Sequence, residues 1–191
     1  MTKCSGHPNI VQLHEVIEDE SKVSLVMEYC SGGNLMIPQV NHDEYLPTDQ
    51  NDIADSGYFS DERARAVLKD VSNGLKFLHD NGIIHGEITP KNILIDAAGT
   101  AKIIGLDRKG DIKSRLGSII APEIMKMYHK RKASAVPGSQ KSDAYQLGSL
   151  ISTMLYGSAE TLRNKYKGNI AIDKSLNSPD DIETQSDQES K

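Results

Sequence analysis

Tryptophan is absent from these 191 residues, and phenylalanine and cysteine occur twice each. A core without Trp and nearly without Phe has to be built from Leu, Ile, Val and Met. Two cysteines in unrelated contexts, Cys4 and Cys30, exclude a disulfide-stapled secreted scaffold and fit a reduced, cytoplasmic chain. No apolar run approaches the ~20 residues that cross a bilayer, and no basic-then-apolar leader opens the sequence, so no membrane partner is expected. A basic surplus is missing too. The 22 Lys and Arg stand against 27 Asp and Glu, a net charge of −5, which argues against a nucleic-acid partner. The length allows one domain with a real core, or one domain with tails.

The elements read as follows. Ile10, Val11, Leu13 and Val16 give a short apolar strand after the turn signal Pro8-Asn9. Glu18-Asp19-Glu20 is a hairpin tip, and Val23–Met27 is a second strand, apolar almost throughout and so expected to be buried on both faces. Residues 36–58 hold Asp43, Glu44, Asp49, Asp52 and Asp55 with no Lys or Arg, an acidic insertion expected to be weakly ordered and solvated. Ser60 caps a helix whose Ala64, Val67, Leu68, Val71, Leu75 and Leu78 share one face, with Gly82 ending it. Ser142 is expected to cap another, carrying Leu147, Leu150, Ile151, Met154 and Leu155 and stopped by Gly157. The whole reads as an α+β domain over residues 1–174, followed by a disordered polar tail over 175–191.

Between the two helices stands His85-Gly86-Glu87-Ile88-Thr89-Pro90-Lys91-Asn92, then Gly105-Leu106-Asp107, then Ala121-Pro122-Glu123. In order, spacing and flanks these resemble the H-R-D-L-x-x-x-N, D-F-G and A-P-E segments of eukaryotic serine/threonine protein kinases. The resemblance runs over about residues 7–157. Its E-Y-C-S-G-G stretch, Glu28 to Gly33, and residues 58–104 are most similar to the calmodulin-dependent kinase-kinase group. It implies a partial small lobe (two strands and a hinge) joined to a mostly helical large lobe. Met27 would be the gatekeeper, Glu28, Tyr29 and Cys30 the hinge facing an adenine ring, and Leu94 the floor beneath it. Asn92 would be a catalytic-loop metal ligand. Asp143, in a stretch similar to S-D-x-W-x-L-G, would hold the catalytic-loop backbone.

The departures fall where the chemistry lives. Glu87 stands in place of the catalytic Asp, with one methylene more; a misplacement of roughly 1 Å can cost ~100-fold. Gly105 replaces the metal-binding Asp and cannot ligate. Asp107, two residues on, is about 7 Å away along an extended chain, too far for an ion that takes oxygens at about 2.1 Å. Gly86 replaces an Arg that would receive an activation-loop phosphate, and Thr89 a Lys that would touch the γ-phosphate. Leu116–Ala121 is two residues shorter than the family run. Six residues precede His7, so the resemblance implies a domain truncated ahead of the Gly-rich loop and the small-lobe Lys.

Phosphoryl transfer is largely positioning and charge neutralisation. Losing these parts therefore implies a pseudokinase acting as a regulatory or binding module for a protein partner, either an active kinase or its substrate. ATP and Mg²⁺ are weak expectations. The alternatives are a weak ATP-dependent serine/threonine kinase using Glu87 and Asn92, and a non-functional kinase fragment.

Overall fold

The computed structural model describes residues 6–38, 45–49, 53–54, 58–106, 120–131 and 138–157. The polar tail from 175, Asp107, and most of the Leu116–Ala121 run lie outside them.

The longest element explains the layout. Helix α1 spans Asp61–Asp80. Ser60 caps it, accepting the Arg63 N–H at 3.2 Å, and Asp61 and Glu62 lie in its first turn, at the positive end of the dipole. Ala64, Val67, Val71, Leu75 and Leu78 are buried on one face, and Leu68 is half-buried. Burying a Val- or Leu-sized side chain contributes about 1.5–3 kcal/mol, so this stripe anchors the core. The chain leaves the helix at Asn81, as expected, with Gly82 at φ 72°.

Against that face pack strand β7 (Ala101–Ile103) and helix α3 (Gln140–Tyr156). β7 belongs to a three-stranded antiparallel sheet with β3 (Gly33–Asn34) and β6 (Ile93–Ile95), ordered β3-β6-β7. Leu94 pairs with Lys102 on one side and Asn34 on the other. The core gathers Ile10, Leu35, Met36, Phe59, Ile88, Ile93, Ile103, Leu150 and Met154 around the α1 stripe. The fold is α+β, as its sequence implies.

The His7-Pro8-Asn9 turn docks on this body. The Asn9 amide donates to the Ala101 carbonyl at 3.1 Å, and its own carbonyl accepts the Ile103 N–H at 2.9 Å. Ile10 is buried there in a bridge to Ile103. The strand expected from Ile10 therefore starts later. β1 (Leu13–Glu18) pairs antiparallel with β2 (Val23–Met27), with a register shift between Leu13 and Glu15. Asp19 closes the tip, its carboxylate accepting the Ser21 and Lys22 N–H groups; the Ser21 bonds hold its carboxyl below the usual range.

β2 is not buried on both faces, as its sequence implies, but largely exposed. Val23, Val26 and Met27 are 58%, 40% and 41% exposed, because β1–β2 is a two-stranded sheet and no other described element covers it. The acidic segment is more regular than expected where it is described. β4 (Met36–Pro38) pairs with β5 (Tyr45–Pro47), and Ile53 bridges Phe59. Met36, fully buried, pins the pair to the core.

The start of α3 also differs. Ser139, not Ser142, is the cap: its hydroxyl accepts the Ser142 N–H at 3.1 Å, while the Ser142 hydroxyl accepts the Ser139 N–H at 2.8 Å. This reciprocal box puts Ser142 one turn inside the helix. Gly157 at φ 78° ends α3 as expected. Helix α2 (Pro122–Arg131) begins at the proline of Ala121-Pro122-Glu123 and carries Glu123 exposed in its first turn.

Candidate active site

The loop from His85 to Asn92 is held from below by α3. Asp143, wholly buried, accepts the His85 N–H at 3.0 Å and the Gly86 N–H at 2.7 Å. His79 of α1 lies 2.7 Å from the same carboxylate through Nε2. One turn further, Gln146 accepts the Ile88 N–H at 2.9 Å and donates to the Gly86 carbonyl at 3.0 Å. Four backbone groups of a buried loop are thus satisfied by two side chains on one helix face, three residues apart. Asp143 does what the resemblance implies; Gln146 was missed. A buried amide within an apolar helix pattern, at i+3 from the Asp, was its available signal.

The loop also braces itself. Nδ1 of His85 accepts the Glu87 N–H at 3.1 Å, which leaves Nε2 to carry the proton toward the Ile104 carbonyl, 2.7 Å away. This histidine is a neutral, packed strut. The Asn92 amide donates to the Glu87 carbonyl at 2.8 Å, and Ile104 N–H reaches the Asn92 carbonyl at 3.0 Å. Glu87 and Asn92 are therefore brought together, both buried.

Glu87 is not an open base. Its carboxylate, 5% exposed, meets the Lys91 ammonium at 2.7 Å across the short 3₁₀ turn Pro90–Asn92. Lys91 was missed by the sequence reading, although opposite charges at i and i+4 were visible. Thr89, between them, buries a hydroxyl that finds no partner.

At the far side Gly105 sits at φ 85°. A Cβ built there would lie 3.2 Å from the Asn92 side-chain oxygen, so the Asn92 amide closes in on the space beside the missing carboxylate. Among the described residues no three His, Cys, Asp or Glu converge as metal ligands.

The hinge is tied to the sheet. Glu28 N–H donates to the Gln12 carbonyl at 2.9 Å, and the Glu28 carboxylate meets the nearly buried Lys102 ammonium at 2.7 Å. Asp96 stands 3.9 Å from the same ammonium. Cys30 is buried, and burial, with Glu28 nearby, pushes its thiol up. Gly32 N–H reaches the Ile95 carbonyl at 2.9 Å, which sets the hinge beside half-buried Leu94. Met27 and Tyr29, by contrast, are 41% and 86% exposed.

A family model described as the protein kinase domain matches residues 1–190. The chain belongs to the eukaryotic serine/threonine protein kinase family. It is 33% identical over 179 residues to the MAP kinase-interacting serine/threonine-protein kinase mnk-1 of Caenorhabditis elegans, covering 82% of this chain and 23% of that one. It is 32% identical over 165 residues to the serine/threonine-protein kinase PEPKR2 of Arabidopsis thaliana, covering 82% and 30%. Calcium-dependent protein kinase 5 of Plasmodium berghei is 33% identical over 141 residues, covering 68% and 23%. The chain thus spans less than a third of the length of these relatives.

A protein kinase implies Mg²⁺ beside its nucleotide. The residues present do not fit that ion. Gly105 offers no side-chain oxygen and the Glu87 carboxylate is held by an ammonium, which leaves the Asn92 amide oxygen, its Nδ2 engaged by the Glu87 carbonyl, as the one ligating side chain of the Asn92 and Gly105 pair. A hard divalent cation that demands octahedral oxygens at about 2.1 Å would find one ligating side chain here where the family supplies two.

Proposed function

We propose that this chain is a protein-kinase domain without phosphoryl transfer, serving as a regulatory or binding module for a protein partner in cytoplasmic kinase signalling. The observation that carries the reading is the state of Glu87: the carboxylate in the base position is buried and paired with Lys91 at 2.7 Å. A base engaged by an ammonium has little pull left for a substrate hydroxyl, and Gly105 supplies no carboxylate to hold the bridging metal. The scaffold beneath, Asp143 and Gln146 on the loop backbone, is intact, which supports a folded module rather than a decayed remnant.

The same scaffold favours a second reading, a weak serine/threonine kinase using Glu87 and Asn92. Radiolabelled ATP with generic serine/threonine protein substrates separates the two. The proposal expects incorporation equal to that of Glu87→Ala. Incorporation that Glu87→Ala abolishes would establish the weak enzyme.

A further inference from the structure

The two edges of the β1–β2 hairpin are unlike each other. β1 carries His14, Glu15 and Glu18, all exposed, and runs into the acidic tip at Asp19 and Glu20. β2 carries no charge and no proline. Charged side chains keep an open strand from pairing with another, so β1 is guarded and β2 is not. Among the described residues no strand lies on the outer side of β2. Both ends of that side are open, with Val23 58% and Tyr29 86% exposed.

The hydrogen bonds fix which groups of β2 face outward. Asp19 N–H donates to the Lys22 carbonyl at 3.0 Å, and Glu28 N–H to the Gln12 carbonyl at 2.9 Å. The register shift between Leu13 and Glu15 takes up the extra β1 residue between those two bonds. Backbone groups alternate in direction along an antiparallel strand, so Lys22, Ser24, Val26 and Glu28 turn theirs toward β1. Val23, Leu25 and Met27 turn their N–H and C=O groups to the open side.

A second β2, antiparallel about a two-fold axis at Leu25, meets all of these groups. Leu25 then stands opposite the second copy's Leu25, and Val23 opposite its Met27, each as a hydrogen-bonded pair. The same register sets Lys22 opposite Glu28 of the other copy, in a non-hydrogen-bonded pair, where side chains approach most closely. The Lys22 side chain is 69% exposed and reaches Asp19 only at 4.0 Å, and Glu28 keeps 25% of its side chain exposed beside Lys102. The two acidic tips leave at opposite ends of about 17 Å of shared strand. Pairing through β1 would instead bring Glu15 and Glu18 of both copies together, and pairing β1 of one copy on β2 of the next does not close.

We infer that the outer edge of β2 is a self-association surface, through which two copies of this chain form a two-fold dimer with one antiparallel sheet ordered β1-β2-β2-β1. The contact is short, below the roughly 1,200 Å² of standard interfaces, so the dimer is transient, with a Kd on the order of 10–100 µM. It is independent of whether Glu87 still catalyses.

Sedimentation velocity of the whole chain, from about 1 to about 500 µM at about 0.15 M salt, is expected to show a reversible monomer–dimer equilibrium. Leu25→Lys sets like charges on the axis and removes the dimer over that range. Lys22→Glu opposes Glu28 with a like charge and raises Kd about fivefold or more. In a Cys4→Ser background, Leu25→Cys places two thiols on the axis with Cα atoms about 5.5 Å apart, within disulfide reach, and oxidised glutathione cross-links it. Val23→Cys, about 14 Å from its counterpart in this register, does not cross-link. Each variant is checked for native circular dichroism. Lys22→Glu and Val23→Cys, both at exposed sites, keep the test decisive if a change at half-buried Leu25 unfolds the chain. A dimer indifferent to Lys22→Glu, or Val23→Cys cross-linking as fast as Leu25→Cys, overturns the inference. So does a monomer at every concentration, which would leave this edge to a strand of another polypeptide.

Discussion

At the scale of single residues, the decisive question is whether the lost acid at Gly105 can be put back. Gly105 sits at φ 85°, where an L side chain is strained, and its Cβ would lie 3.2 Å from the Asn92 oxygen. Asp tolerates the left-handed region better than most residues, so Gly105→Asp folds, at a cost of about 1 kcal/mol in a urea melt. It restores one carboxylate but leaves Glu87 paired with Lys91. No phosphotransfer is therefore expected from Gly105→Asp, and activity above the unmodified protein would show that the Glu87–Lys91 pair is no obstacle. A second prediction concerns Cys30. Burial holds its thiol above the usual value, so in a Cys4→Ser background it alkylates far more slowly in the native state than in urea at pH 8. The unfolded chain gives up the thiol proton first, so this group's contribution is constant below the ordinary thiol pKa and stability falls as pH rises through and beyond it. A melting temperature that rises between pH 8 and 10 in this background, but not in a Cys30→Ala control, would contradict it.

At the scale of elements, two contacts fasten the loop and the N-terminal turn to the helices. Asp143 satisfies two backbone N–H groups and faces His79 from full burial. Asp143→Ala orphans those donors, and a loss of about 3–5 kcal/mol in chemical denaturation is expected; a loss under 1 kcal/mol would mean that the loop finds other partners. On α1, Gly74 lets Asn9 and Ile103 approach. A Cβ there would stand 2.9 Å from the Asn9 carbonyl oxygen and 2.8 Å from the Ile103 side chain. Although Ala is the better helix former by about 1 kcal/mol, Gly74→Ala is expected to lower stability by about 1–3 kcal/mol, because backbone cannot yield as a side chain tip can. These elements also mark what the sequence could disclose. Helix α1 was legible from cap to stop because its periodicity and its capping chemistry agree. The α3 stripe was legible too, yet its start was misplaced by three residues, since Ser139 and Ser142 both have cap chemistry and only the reciprocal bonding decides. Lys91 and Gln146 are harder to read because their parts depend on a 3₁₀ turn and on a neighbour 60 residues away, which the charge pair at i and i+4 and the lone amide in an apolar pattern do not by themselves specify.

At the scale of the whole molecule, the described residues divide into a well-packed body and a hairpin that no other described element covers. The body, built on α1, α3 and the β3-β6-β7 sheet, buries Ile10, Leu78, Ile93, Ile103 and Met154 almost completely. The hairpin β1–β2 leaves Val16, Ile17, Val23, Val26 and Met27 at least 40% exposed. Its sequence reads as a buried strand because burial follows from what packs on a strand, which the strand's own residues do not state. The acidic balance works against aggregation, since a net charge of −5 keeps molecules apart, while an exposed apolar strand pair, its edges unpaired among the described residues, works toward it. The balance is testable by screening the charge. Salt at 0.5 M shortens the Debye length to below about 8 Å, so it is expected to raise self-association measured by sedimentation velocity. Val16→Thr, Ile17→Thr and Val23→Thr together should abolish that salt response and change stability by no more than about 0.5 kcal/mol each, as for exposed sites elsewhere. A stability loss of 2 kcal/mol or more for the triple variant would instead show that the hairpin is covered in solution, and that these side chains are part of the core.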